Sequence, residues 1–161
     1  MSNEIRTEPL VAADARPRAR KSLYPEQFAV QVDGRLKRPL GDPFGLTNFG
    51  VNHTRLAPGA MTALRHAHSR QDEFVYVLEG RPTLINDAGA RELAPGMCVG
   101  FKAGNGNAHH LVNRSDADVV LIEVGDRSTG DDVEYPDDDI KYTRNADGTG
   151  QFVHKDGTPF E

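Results

Sequence analysis

Cysteine, tryptophan and long apolar runs are scarce or missing in this sequence. It has one cysteine, Cys98, and no tryptophan among 161 residues. A single cysteine excludes an internal disulfide and any zinc site built from several cysteines. The apolar neighbours Met97 and Val99 predict that the Cys98 thiol is buried in a strand. No apolar run approaches the roughly 20 residues that a transmembrane helix needs.

An excess of positive charge is also lacking, since the formal net charge is −5. Bulk electrostatic attraction to nucleic acid is therefore not expected. The opening residues, MSNEIRTEPLVAADARPRARK, are polar where a secretory signal peptide would be apolar. These features predict a cytoplasmic protein that acts on neither nucleic acid nor membranes.

Composition divides the chain into three regions. Residues 1–24 form a polar arm, residues 25–125 hold the apolar runs of a β-barrel domain, and residues 126–161 form an acidic extension. The arm is either a mobile or surface-lying terminus or a segment that crosses to a partner subunit. Its basic residues are Arg16, Arg18, Arg20 and Lys21.

The acidic extension is expected to pack on the barrel. Its charge run, residues 131–139, is interpreted as a solvated face, because that is the usual position of such runs. Two short strands around the turn Asp147-Gly148 are also predicted within it.

Short apolar runs separated by turn residues fill the central region. Strands of this length, without a long stretch of helical periodicity, predict an all-β sandwich or barrel. The runs are Leu46–Val51, Thr54–Leu56, Thr62–His68, Glu73–Leu78, Pro82–Ile85, Met97–Phe101, His109–Val112 and Val119–Val124.

Histidine and glutamate recur in these runs at spacings that suit a metal site. His66 and His68 share one face of a strand, because side chains alternate with period two. Glu73 follows after a short turn, and His109 supplies a third imidazole further along. Imidazole and carboxylate are ligands that divalent transition metals take. Asp72 is the rival carboxylate, but alternation points it to the other face.

The two stretches together resemble the paired motifs of the cupin superfamily. The first motif is present as Gly59, the His66-Ala67-His68 triplet, Glu73 and Gly80. The second is present as Gly96 to Gly104, followed by His109 and then Asn113. Two turns depart from the pattern: Gly59 lies one residue further from His66 than usual, and Lys102 replaces a proline, with two extra residues before His109. The chain as a whole resembles small single-domain bacterial cupins grouped as candidate sugar-phosphate isomerases.

This resemblance implies a double-stranded β-helix, or jelly-roll, barrel with N- and C-terminal extensions. It also implies that His66, His68, Glu73 and His109 bind one divalent transition metal ion per chain. The ion is Zn, Mn, Fe, Ni or Co, since mixed nitrogen and oxygen ligands do not choose among them. Such a ligand set leaves one or two coordination positions open, as catalytic sites do.

Three functions follow from such a site. A metal-dependent isomerase acting on a small polar or phosphorylated metabolite is preferred, with His53 and Glu123 as acid–base candidates. An Fe(II) dioxygenase and a non-enzymatic binding or sensing protein are the alternatives. The cations considered for a phosphate clamp are Arg55, Arg65, Arg70, Lys102 and Arg114.

The strand after the first motif is apolar on both sides. Phe74, Tyr76 and Leu78 alternate with the inward Glu73, Val75 and Val77. One side of an antiparallel barrel strand normally meets water, so a second layer or a partner subunit is expected to cover this face. We therefore predict a homodimer, as is common among cupins.

Overall fold

The computed structural model describes residues 5–19, 22–144 and 150–160. Within these ranges the chain forms one short helix, α1 (Glu26–Ala29), three 3-10 turns (Ala12–Asp14, Val30–Val32 and Asp42–Phe44) and antiparallel strands. No helix in the described ranges has the length and apolar content to cross a membrane. The strands are β1 (Arg35–Pro39), β2 (Phe49–Leu56), β3 (Ala67–His68), β4 (Glu73–Glu79), β5 (Thr83–Asn86), β6 (Gly89–Glu92), β7 (Cys98–Phe101), β8 (His110–Val112), β9 (Val119–Asp126), β10 (Val133–Glu134), β11 (Lys141–Arg144) and β12 (Gly150–Val153).

These strands build three sheets. The largest has the order β1-β2-β9-β4-β7, a three-stranded sheet has the order β6-β5-β8, and a four-stranded sheet has the order β12-β11-β10-β3. The non-sequential order places β9 between β2 and β4, and this brings distant parts of the chain side by side.

The main core lies on the inner face of the five-stranded sheet, against the three-stranded sheet. Along β9, Val119 and Leu121 are fully buried while Val120 between them is only half-buried, which is the period of two expected for a strand. Burying each such aliphatic side chain contributes about 1.5–3 kcal/mol relative to exposure. Leu84 and Leu111 of the smaller sheet pack against this layer.

A second apolar cluster forms where the C-terminal region returns to the barrel. In β10, Val133 pairs with His68 and Glu134 pairs with Ala67. The cluster that results joins Phe28 of α1 to three other buried side chains: Leu64, Tyr135 and Ile140. The C-terminal region thus forms one wall beside the His-x-His segment.

The strand boundaries differ from those expected in two places. The runs predicted as Leu46–Val51 and Thr54–Leu56 are one strand, β2, because no turn interrupts its pairing with β9. Of the run Thr62–His68, only Ala67 and His68 form a strand, and His66 makes an isolated bridge to His109.

The buried position expected for Cys98 is wrong. Its side chain is exposed, because it pairs with Tyr76 on the outer face of the five-stranded sheet. The predicted turn Asp147-Gly148 lies outside the described residues, although β11 and β12 pair on either side of it. Arg20 and Lys21 of the arm also lie outside them.

Candidate metal centre

The four predicted ligands come from neighbouring segments of the barrel. His68 lies in β3, and His66 stands just before it. The backbones of His66 and His109 exchange two hydrogen bonds, of 3.1 and 2.8 Å. Glu73 begins β4 on its inward face, two positions before the buried Val75. Backbone pairing therefore brings residues from positions 66 to 109 to one point.

Three imidazole nitrogens surround one carboxylate oxygen at this point. Glu73 Oε2 lies 3.0 Å from His109 Nε2, 3.3 Å from His66 Nε2 and 3.5 Å from His68 Nε2. Bonds of about 2.1 Å to a metal would place neighbouring ligand atoms about 3.0 Å apart in an octahedron and about 3.4 Å apart in a tetrahedron. The three distances from Glu73 Oε2 lie within or close to this range. His66, His68 and Glu73 form a group that could hold a metal, with ligand atoms within 4.8 Å of one another, and His109 is not part of that group.

The other ring nitrogen of each histidine orients the imidazole. His66 Nδ1 lies 2.8 Å from the carbonyl oxygen of Leu64, and His109 Nδ1 lies 3.4 Å from that of Asn107. A carbonyl oxygen only accepts hydrogen bonds, so each Nδ1 carries the proton. In the neutral ring this leaves the Nε2 lone pair directed at the cluster, which is the arrangement of metal-binding histidines.

Asp131 orients the third imidazole, and sequence reasoning missed it. Its Oδ2 accepts a hydrogen bond from His68 Nδ1 at 2.6 Å, and its Oδ1 accepts one from the backbone N–H of Arg70 at 2.8 Å. Burial by itself would raise the pKa of Asp131, but the bonds from His68 and Arg70 outweigh it and hold the pKa below its usual range. The carboxyl is buried, so the interpretation of the whole acidic run as a solvated face is wrong at this residue.

The charge of the cluster suits a bound cation. Neutral imidazoles present only lone pairs to Glu73, and four acceptors cannot satisfy one another. Although burial would raise the pKa of Glu73, its contacts with the imidazoles of His109 and His66 hold it well below its usual range. The carboxylate is thus charged, and a metal ion held among the imidazoles would balance it.

Aromatic rings enclose the cluster. Phe101 stacks on His109 with the ring centroids 3.4 Å apart, and Tyr135 stacks on His66 at 6.0 Å. Tyr24 meets Tyr135 edge to face and is hydrogen-bonded to it. Burial raises the pKa of both tyrosines, so both keep their hydroxyl protons.

A cavity of about 1170 Å³ opens onto the cluster. His66 and His68 lie in its wall together with Tyr24 and Tyr135. Further along, the wall is formed by β1 and by the N-terminal arm. A molecule in this cavity would contact His66 and His68 and the two tyrosines at once.

Glu123, predicted as an acid or base, lies on the inner face of β9. Its carboxylate is 3.0 Å from Lys37 Nζ and accepts a hydrogen bond from Thr54 Oγ1. In the β4–β9 register, Glu123 stands opposite Val75 and Gly125 stands opposite Glu73. The two carboxylates are therefore at adjacent inward positions of the same sheet.

His53, the other acid–base candidate, is not brought to the cluster. It precedes the fully buried Thr54 in β2 and so points to the opposite face of the sheet. Burial and the neighbouring charge of Arg38 lower its pKa.

None of the cations considered for a phosphate clamp lines the cavity. Arg55 pairs with Asp118 at 2.6 Å, and Lys102 pairs with Asp72 at 3.0 Å. Arg65 pairs with two carboxylates outside the cavity. The cations that do line the cavity are on the arm and on β1. For Arg35 and Lys37 of β1, the signal in the sequence is the period-two alternation of the segment RLKRP, which places both on one face of the strand.

The fold and the site together define a β-barrel protein with a preformed histidine–carboxylate cluster. Residues 52–125 match the family described as the cupin domain. A protein from Silicibacter pomeroyi, called a sugar phosphate isomerase from a cupin superfamily, is 41% identical, with 96% of this chain and 97% of that one covered and a TM-score of 0.87. The chain belongs to the cupin superfamily, which confirms the predicted family and the all-β jelly-roll fold.

Other solved structures extend the comparison. A protein from Acidithiobacillus ferrooxidans, named as a candidate sugar phosphate isomerase, is 28% identical, with 89% of this chain and 99% of that one covered and a TM-score of 0.70. The polyketide cyclase RemF from Streptomyces resistomycificus is 20% identical, with 75% and 80% covered and a TM-score of 0.61, and shares the fold. No curated protein matches the sequence.

Proposed function

We propose that this cupin is a metal-dependent isomerase that interconverts an aldose and a ketose form of a small phosphorylated or polar metabolite. The observation that carries the proposal is the cluster of three Nε2 atoms around Glu73 at the wall of a cavity that also holds proton-carrying groups. The names of the similar proteins from Silicibacter pomeroyi and Acidithiobacillus ferrooxidans support the reaction class.

The described residues fit a divalent transition metal. His66, His68, His109 and Glu73 would hold it, and Asp131 would orient His68. When bound, the ion supplies a Lewis acid that polarises a carbonyl or hydroxyl oxygen. Zn, Mn, Fe, Ni and Co all suit this mixture of nitrogen and oxygen donors.

The proton transfer falls to Glu123 in this proposal. Isomerisation removes a proton from the carbon that bears a hydroxyl group and returns it to the neighbouring carbonyl carbon, while the hydroxyl proton passes to the former carbonyl oxygen. Glu123 lies on the inner sheet face, one inward position from Glu73, and is held in place by Lys37 and Thr54. Glu123 is not itself in the cavity wall, so its carboxylate takes up and returns the carbon-bound proton of a substrate that reaches past Lys37, its partner in that wall.

Tyr24 is assigned the hydrogen bond to the substrate oxygens. Its raised pKa keeps the hydroxyl protonated, with burial as the main cause. Its ring lies in the cavity wall next to Tyr135, which stacks on His66. A phenol at this position can donate to whichever oxygen carries negative charge during the reaction.

Proton NMR in D₂O tests this function. Aldose and ketose phosphates are incubated with the protein and Mn²⁺ or Zn²⁺, and interconversion and exchange of the carbon-bound proton are followed. Glu123→Gln should lower the turnover by about 10²–10⁴-fold, which is the usual contribution of a positioned base, with unchanged metal content. Oxygen uptake with Fe(II) and loss of a substrate would contradict the proposal in favour of a dioxygenase, and a tightly held metabolite without turnover would favour a sensor.

We also propose that two copies of the chain associate through the outer face of the five-stranded sheet. Phe49, Phe74, Tyr76 and Leu78 are each about two-fifths exposed there, with fractions of 41%, 41%, 38% and 40%. An apolar face of this kind on a folded protein favours a partner. The molecular mass in solution should be that of a dimer, and Tyr76→Asp should shift it to a monomer. A monomeric wild-type protein would contradict this assignment.

A further inference from the structure

Two cations of β1 point into the barrel. Arg35 pairs with Leu56, and Lys37 pairs with Thr54. Both partners are fully buried on the inner face, so Arg35 and Lys37 lie on that same face. Each is half-buried and lines the cavity that contains His66 and His68.

The N-terminal arm adds positive charge along the same wall. The backbone N–H of Arg18 donates to the carbonyl oxygen of Lys37 at 3.0 Å, which holds the arm beside β1. The guanidinium of Arg18 reaches Asn52 Oδ1 at 3.4 Å, and Asn52 is inward-facing on β2. Arg16 also lines the cavity.

Positive charge exceeds negative charge on this wall. Among the described residues that line the cavity, Asp42 is the one carboxylate, whereas the cations are Arg6, Arg16, Arg18, Arg35 and Lys37. Glu123, on β9 of the same sheet, pairs with Lys37 at 3.0 Å. Burial lowers the pKa of Arg35, and the nearby charge of Arg18 adds to the effect while Glu123 opposes it. Like charges held together in a partly desolvated wall are stabilised when an anion binds between them.

We propose that Arg18, Arg35 and Lys37 form an anion subsite that binds the phosphate or carboxylate group of the substrate. Guanidinium groups match the planar, bidentate geometry of such anions, and an ammonium group adds a point charge. The anion lies against β1 and the arm, and the rest of the molecule extends through the shared cavity to His66 and His68. The inference deepens the proposed function and rests on it for the reaction, but the binding step can be measured without turnover.

Arg18 is the informative position to change. Its side chain is exposed, so Arg18→Gln removes the charge without leaving a buried group unpaired. Arg35→Gln is a second variant, with circular dichroism to check that it is folded, since Arg35 is more buried. Arg81→Gln is the matched control, because Arg81 is an exposed arginine paired with Glu92 at 3.1 Å away from the cavity.

Calorimetric titration of the metal-free chain with inorganic phosphate, and separately with succinate, tests the subsite. Metal-free protein is used so that neither anion can bind to an ion at the histidine cluster. The anion that binds wild-type protein should bind Arg18→Gln about tenfold more weakly, which is typical for the loss of one hydrogen bond to a charged group. Its affinity for Arg81→Gln should equal its affinity for the wild type. Binding of phosphate alone would indicate that the substrate carries a phosphate ester, and binding of succinate alone would indicate a carboxylate. Either result supports the subsite.

The subsite is overturned if neither anion binds wild-type protein up to about 10 mM, or if Arg18→Gln and folded Arg35→Gln bind as wild type does. The two proposals fail separately. Isomerase activity with an unchanged KM in Arg18→Gln would leave the function standing and remove the subsite. Phosphate binding that is lost in Arg18→Gln, in a protein without isomerase activity, would do the reverse.

Discussion

Replacing Asp131 with asparagine tests whether the orientation of His68 controls metal affinity. Asp131 uses both of its oxygens as acceptors: Oδ2 faces His68 Nδ1 at 2.6 Å, and Oδ1 faces the backbone N–H groups of Arg70 and Gln71 at 2.8 and 3.2 Å. Asparagine has one acceptor oxygen and one NH₂ donor. In either orientation of the amide, a donor therefore faces a donor.

The expected loss follows from what that conflict does to His68. If the NH₂ group faces the imidazole, Nδ1 of His68 must accept a hydrogen bond from it, so the ring proton moves to Nε2. A protonated Nε2 has no lone pair to offer to a metal. Removing a partner that orients a metal-binding histidine usually costs 10–100-fold in metal affinity, which is about 1.4–2.7 kcal/mol. We expect Asp131→Asn to fall in this range with its fold intact, because the change is nearly isosteric.

Competition with a chromophoric chelator for Zn²⁺ or Mn²⁺ measures this loss. Asp132→Asn is the matched control, since Asp132 is the next residue, is exposed and gives the same change in net charge. A long-range electrostatic effect would weaken both variants alike. Equal affinities of the two variants, or no loss in Asp131→Asn, would refute the role of Asp131.

Two further predictions concern stability. Gly80 has φ +78°, and a Cβ there would meet the Asp118 carbonyl oxygen at 2.7 Å, so Gly80→Ala should cost about 2–5 kcal/mol of unfolding free energy. Gly59 has φ +82° and no atom within 4 Å of such a Cβ, so Gly59→Ala should cost only about 1–2 kcal/mol. Urea denaturation measures both losses, and equal losses would contradict the steric explanation. Because the pKa of Asp131 is lowered in the folded chain, its charge stabilises the metal-free protein above the unfolded pKa of about 3.9, and this contribution is lost as the pH falls through the folded pKa. The difference in unfolding free energy between wild type and Asp131→Asn should therefore shrink below about pH 4, and a constant difference would argue against it.

The ligand candidates could be predicted from the sequence because their geometry is local. His66 and His68 are separated by one residue, and Glu73 follows across one turn, so these three candidates lie within one short stretch of the sequence. His109 lies far along the chain, and the resemblance to paired motifs joined it to the other three. The structure places it 3.0 Å from Glu73 through a backbone bridge that no local pattern contains.

The residues that were missed depend on long-range pairing. Asp131 looks like one member of an exposed acidic run, and it is buried because β10 pairs with β3, more than sixty positions earlier in the chain. Arg35 and Lys37 face the cavity because of the register between β1 and β2. Cys98 is exposed for a related reason, since alternation gives the period of a strand but not which face is covered.

The metal content of purified protein tests the central claim most directly. After removal of metal and reloading with Zn²⁺ or Mn²⁺, elemental analysis should find about one ion per chain in the wild type. His66→Ala and Glu73→Gln should lose most of it, whereas His154→Ala should keep it, because His154 lies in the C-terminal region and bonds to Asp139. A full complement of metal in His66→Ala and Glu73→Gln, with both variants folded, would contradict the assignment of the site.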